Sequence, residues 1–134
     1  MKIILFVAAL LISEILVSQD GPSQLLGPNG GIVRKAGDYY IEVKNFPEMN
    51  FYAYLLDKEL KNIGNKALTC NAEFFFPDST SLEVKLRHAS EGIFMADLAS
   101  GYDACEITFD VFGTPVFARF KNISSIAHKK NINN

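Results

Sequence analysis

Beyond residue 31 the chain alternates apolar and polar positions with a period of two. That pattern predicts strands, because successive side chains of an extended backbone point to opposite faces. The clearest run is Tyr39-Tyr40-Ile41-Glu42-Val43-Lys44, with Tyr39, Ile41 and Val43 on one side and Tyr40, Glu42 and Lys44 on the other. Further runs lie at 32–35, 51–56, 67–76, 82–86, 93–98, 106–112 and 115–121. Gly37-Asp38 reads as a tight bend and Pro77-Asp78-Ser79-Thr80 as a strand stop. Gly113-Thr114 fits a two-residue hairpin turn in which the glycine takes the positive φ. The polar connection at 57–65 has room for one helical turn.

Seven or eight strands at intervals of about ten residues, with no long 3.6-period stretch, predict an all-β fold, an antiparallel β-sandwich of immunoglobulin type. The sequence contains no Trp, so the buried tryptophan of antibody domains is missing. Ahead of the strands, Lys2 precedes an apolar run over residues 3–12, about the length of a signal h-region and well short of the ~20 residues of a membrane span. Residues 1–19 are therefore expected to be a cleaved secretory signal; a buried first helix or an uncleaved anchor is the alternative. No Cys follows the run to carry a lipid. Residues 20–31 read as a flexible entry segment, 32–122 as the sandwich and 123–134 as a frayed tail. After cleavage no membrane span is expected.

The 134 residues allow one ordinary domain. With 13 Lys and Arg against 15 Asp and Glu, there is no basic footprint for nucleic acid. Catalysis finds little to work with. The two histidines, His88 at a strand end and His128 in the tail, come without a G-x-S-x-G elbow. Strand carboxylates, Glu42 among them, fall on the polar side of their alternation, where solvation is the default. Pro28-Asn29-Gly30-Gly31 precedes a strand, so no helix dipole would meet a phosphate there. No enzyme activity and no cofactor are expected. Met49 and His88 are the candidate soft-metal ligands, without a ligand-like spacing.

Export bears on the two cysteines, since an oxidising compartment favours a bridge. Alternation turns Cys70 inward with Leu68, Ala72 and Phe74, and Cys105 inward with Ile107, Phe109 and Val111. A Cys70–Cys105 disulfide is expected, with two buried free thiols or a thiolate metal site as alternatives. Closing a loop of about 36 residues would stabilise the domain by roughly 4 kcal/mol. Tyr40, Tyr52, Tyr54, Leu56, Phe75, Phe112 and Phe117 fall on the outward alternation. Either the entry segment covers them, or the inward assignment fails on a strand, or they form an exposed patch that meets a partner protein or a second copy. Tyr40, Tyr52 and Tyr54 are the candidate partner surface.

The run from Gly27 to Val43, Gly-Pro-Asn-Gly-Gly-Ile-Val-Arg-Lys-Ala-Gly-Asp-Tyr-Tyr-Ile-Glu-Val, followed by Tyr54-Leu55-Leu56-Asp57, resembles a family of small exported immunoglobulin-like domains. That family carries P-[NH]-G-G-x-[VL], G-D-[YF]-x-[IVL]-E and Y-L-x-D segments, alone in the periplasm or near the start of membrane-fusion subunits of heavy-metal efflux pumps of the copper, cobalt, zinc and cadmium type. The closing Pro115-Val116-Phe117-Ala118-Arg119-Phe120 is similar to its last strand. The resemblance implies a periplasmic, non-catalytic accessory domain with a protein partner in the cell envelope and a possible heavy-metal ion. Many members have His where this chain has Asn29, a poor ligand for a soft ion. Read from the residues, Pro28, Asn29, Gly30, Gly31, Gly37 and Asp38 are turn-formers.

Overall fold

A computed structural model of the protein describes residues 25–45, 50–97 and 101–122. The signal at 1–19, the start of the entry segment, Met49 and the tail at 123–134 lie outside the described residues. The described chain is all strand and turn: β1 (Leu25–Leu26), β2 (Ile32–Ala36), β3 (Tyr39–Asn45), β4 (Asn50–Leu56), β5 (Thr69–Phe75), β6 (Ser81–Ser90), β7 (Ile93–Asp97), β8 (Ala104–Val111) and β9 (Thr114–Lys121). All neighbours pair antiparallel in the order β1-β2-β3-β4-β7-β6-β5-β8-β9. Nine strands replace the expected seven or eight. The added one is β1, inside a segment whose composition carries no periodicity. The connection at 57–65 forms no helical turn. It folds back as an extended segment, with Asn62 bridged to Leu56 and Ile63 N–H donating to the Leu55 carbonyl at 2.9 Å.

The ten-residue β6 joins the two halves of the sheet. Its first part, from Ser81 to Leu86, pairs with β5, and its last part, from Arg87 to Ser90, pairs with β7 across a register shift between His88 and Ser90. Such a bulge bends the strand and raises its twist, which lets one sheet curl round its own core in a half-barrel. The curl brings β9 against β2: the Arg34 guanidinium carbon lies 6.0 Å from the Phe120 ring centroid, and a Cβ on Gly37 would stand 3.6 Å from Val116 Cγ1. The order β8-β5-β6-β7 is a Greek key.

The concave face holds the core, with Ile41, Phe51, Leu55, Phe74, Phe94, Ile107, Phe109 and Phe120 fully buried. Its aromatic rings meet edge to face, Phe51 on Phe74 at 5.4 Å and Phe94 on Phe109 at 5.1 Å between centroids. Edge-to-face rings place a positive edge on a negative face, adding about 0.5–1.5 kcal/mol per pair beyond burial. Cys70 and Cys105 point into this core, as alternation requires, and they are not bonded. The register gives the reason: Cys70 faces Phe109, and Cys105 faces Phe74. An offset of four residues along adjacent strands sets the two Cα atoms roughly 14 Å apart, whereas a disulfide needs less than about 7 Å. Parity put both sulfurs on the right face and said nothing of their offset, so the expected bridge gives way to two buried thiols.

Candidate interaction surface

The convex side of the sheet divides into a covered half and a bare half. Over β2, β3 and β4 the covering begins at Glu42. Alternation sends this carboxylate outward, yet it is 0% exposed, because the loop at 27–31 folds back over it. Asn29 N–H donates to Oε1 at 3.0 Å, Gly31 N–H donates to the same oxygen at 2.7 Å, and Asn29 Nδ2 donates to Oε2 at 2.7 Å. Asn29 and Asn62 exchange side-chain amide bonds, and Lys44 Nζ donates to the Asn29 carbonyl at 3.1 Å. Three N–H donors replace the water a buried carboxylate would otherwise need.

The glycines make that approach possible. A Cβ on Gly27 would overlap the Glu42 carboxylate, and one on Gly31 would overlap the Val43 carbonyl oxygen. Pro28 occupies the exposed tip, and Gly27 and Gly30 close the loop with Gly30 N–H donating to the Gly27 carbonyl at 3.0 Å. Gly37 and Asp38 form the exposed bend between β2 and β3. The glycine-rich run that carries the family resemblance is thus, physically, a clasp on a buried glutamate. Glu42 was the residue that alternation misread, and the only hint in the sequence was its place at the end of the G-D-Y-Y-I-E run.

Beside the clasp, Val33, Tyr54 and Leu56 are buried in a small second cluster, flanked by half-buried Tyr40, Tyr52, Leu60 and Ile93. Leu60, at φ 62°, belongs to the folded-back connection and caps this cluster. Burial pushes the Tyr54 phenol above the usual tyrosine range, and the Glu42 carboxylate and Tyr52 push in the same direction. Of Tyr40, Tyr52 and Tyr54, expected as a partner surface, Tyr54 is buried, and Tyr40 and Tyr52 are half-buried against its cluster.

The other half is open. Outward positions of β6, β5, β8 and β9 form a grid whose register is fixed: Glu83, Glu73, Glu106 and Arg119 stand in one row, and Lys85, Asn71, Thr108 and Phe117 in the next. Like charges directly opposite on neighbouring strands repel, and this row sets three glutamates side by side. Phe75 lies on the same face with the Arg119 guanidinium carbon 4.6 Å from its ring centroid. Phe117 is 61% exposed.

Phe112, 71% exposed, sits at the tip of the β8–β9 hairpin with φ 51°, and Gly113 follows at φ 90°. Val111 and Thr114 close the turn, so it is Phe112-Gly113 and lies one residue earlier than expected. Positive φ at both centre positions matches the strand twist, but a bulky side chain there is strained. Asp110 steadies the turn by accepting the Gly113 N–H at 2.6 Å.

His88 lies inside β6 instead of at a strand end. Its ring rests on Phe94 with centroids 4.3 Å apart, and Nε2 stands 3.0 Å from the Leu68 carbonyl oxygen. Since a carbonyl can only accept, Nε2 carries a proton. Lys66, Ser90 and Glu91 surround this ring in a shallow open depression. Met49, its candidate co-ligand, lies outside the described residues. Among the described residues no group of three or more His, Cys, Asp and Glu side chains is placed to hold a metal ion, and no helix is long and apolar enough to cross a membrane. Compared with known proteins, the chain matches no family model and no curated sequence.

Proposed function

We propose that this protein is an exported, non-catalytic binding domain that works through the bare convex face of β6, β5, β8 and β9. The observation that carries the reading is the contrast between the halves. The chain invests two loops in covering the aromatics of one half, yet leaves Phe117 and the strained Phe112 in water on the other. Exposed aromatic rings and an arginine beside them are enriched at contact surfaces. Export to the periplasm rests on the leader and on the family resemblance. The immunoglobulin-like assignment rests on the number and spacing of the strands and on the resemblance; the Greek-key order supports it, and the nine strands of one curled sheet depart from it.

A photo-crosslinking residue tests the reading in the producing cell. Placed at Phe117 it is expected to trap a protein; placed at Lys58, on the loop over the covered half, it is expected to trap none. Equal yields from both positions, or none from either, would overturn the proposal. The tie to heavy-metal efflux rests on the resemblance alone. Titration with Cu(I), Cu(II) and Zn(II) tests it through the melting temperature, because an ion bound only by the native state adds about 2.7 kcal/mol at 100 times its Kd.

A further inference from the structure

We infer that the partner of the bare face is a second copy of the same face, related by a two-fold axis that lies in the interface, perpendicular to the strands. The inference rests on the bare face being the working surface. It follows from the registered grid.

A two-fold of this kind, passing between the row of Glu73 and the row of Asn71, lays each row on the other row of the second copy. Glu83 then meets Lys85 of the second copy, and Arg119 meets Phe117. In the middle, Glu73 meets Asn71 and Glu106 meets Thr108, so each carboxylate of the row gains a cation or a neutral hydrogen-bonding group. The crowding of three glutamates in one chain is thereby relieved across the interface. Arg119 already stacks on an aromatic ring within its own chain, Phe75, and the exposed ring of Phe117 offers the same contact from the other side. The alternative two-fold, parallel to the strands and passing between β5 and β8, would lay Glu83 on Arg119 but also Glu73 on Glu106, carboxylate on carboxylate at two central points. The charge pattern favours the axis that leaves no like charges face to face.

Two sheets stacked in this way interdigitate side chains across about 10 Å. Four strands by four outward positions cover about 500 Å² per copy; two convex faces meet over part of that, so the pair would bury less than about 1,000 Å² in total, the size of a weak association. A reversible, concentration-dependent dimer is expected, weakened by salt.

Sedimentation velocity of the purified protein over about 10 to 500 μM, the range such an area calls for, reads this directly. The wild type is expected to pass from monomer to dimer. Lys85→Glu sets carboxylate against carboxylate at two symmetric points and is expected to weaken the dimer at least about 10-fold. The double variant Glu83→Lys with Lys85→Glu restores the pair with its signs exchanged and is expected to recover most of the affinity. Both substituted positions are exposed residues of β6, and circular dichroism verifies that each variant folds. A wild type that remains monomeric throughout, or a dimer indifferent to both variants, would overturn the inference. A monomeric wild type that still crosslinks from position 117 to a different protein would end self-pairing and leave the binding function standing. A monomer without crosslinks would end both.

Discussion

The covered and bare halves of the convex surface are built from the same alternating strands, and they differ in what lies on top. Over β2, β3 and β4 the chain supplies its own lid, with Glu42 as the anchor and the loop at 27–31 as the clasp. Over β5, β8 and β9 none of the described residues forms one, and the outward rows keep their charges and Phe117. The lesson is that an outward-facing polar residue in an alternating strand has no fixed fate. Glu42 and Glu73 occupy equivalent positions by pattern, yet one is sealed and the other faces water.

The sharpest way to break the comparison is to remove the anchor. Glu42→Ala leaves the Asn29 and Gly31 donors buried without an acceptor, and about 3–4 kcal/mol of stability is expected to go. The same substitution at Glu73 is expected to change stability by no more than about 0.5 kcal/mol. Urea denaturation of both variants, at protein concentrations too low for association, measures the difference. If the two costs are equal, the clasp is not what covers the surface.

Next in size is the interior both halves share. Burial pushes the Cys105 thiol up to about 12 and raises Cys70 as well. The unfolded thiols lose their protons from about pH 8.5 while the folded ones keep theirs, so the unfolded state binds fewer protons and stability falls as pH rises. The loss should reach about 1.4 kcal/mol per pH unit for each thiol between pH 9 and the folded values. Below pH 8 the thiols contribute no slope. Denaturation at pH 8 and 10 with reductant present, compared with a Cys70→Ala, Cys105→Ala variant, reads the effect. Labelling of the denatured, unreduced protein should find two reactive thiols.

A smaller test stays within the clasp. Asn29→Ala removes the amide donor to Glu42 but keeps the backbone one, and about 1–2 kcal/mol is expected to be lost. Smallest, and of opposite sign, is Phe112→Asn. Asparagine tolerates positive φ better than phenylalanine, so the hairpin is expected to gain about 0.5–1 kcal/mol, measured by thermal denaturation. A gain would mean that the bare half keeps its exposed ring at a cost in stability, as a working surface can.

Alternation made most of the architecture legible. It placed β3, β4, β5, β8 and β9 within a residue or two and sorted Ile41, Phe74, Ile107 and Phe109 inward. It erred wherever the deciding contact was remote. Glu42 is held by backbone donors 11 and 13 residues away, and a period-two pattern contains no trace of them. The cysteines failed on register, which depends on how β5 slides against β8. The aromatic surplus was visible as a surplus, but only the path of 57–63 decided that Tyr54 would be sealed and Phe117 left out. Asn122-Ile123-Ser124 fits a glycosylation sequon, and only the fold could tell that Asn122 is 8% exposed, with its Nδ2 donating to the Tyr102 carbonyl at 2.7 Å.

The dual allegiance of β6 has a mechanical consequence. Because one continuous strand is stitched into both halves, neither can be peeled away while the other stays intact. The route from the glutamate row to the clasp runs through β6, β7 and β4 to β3, four strands joined by one continuous set of ladders.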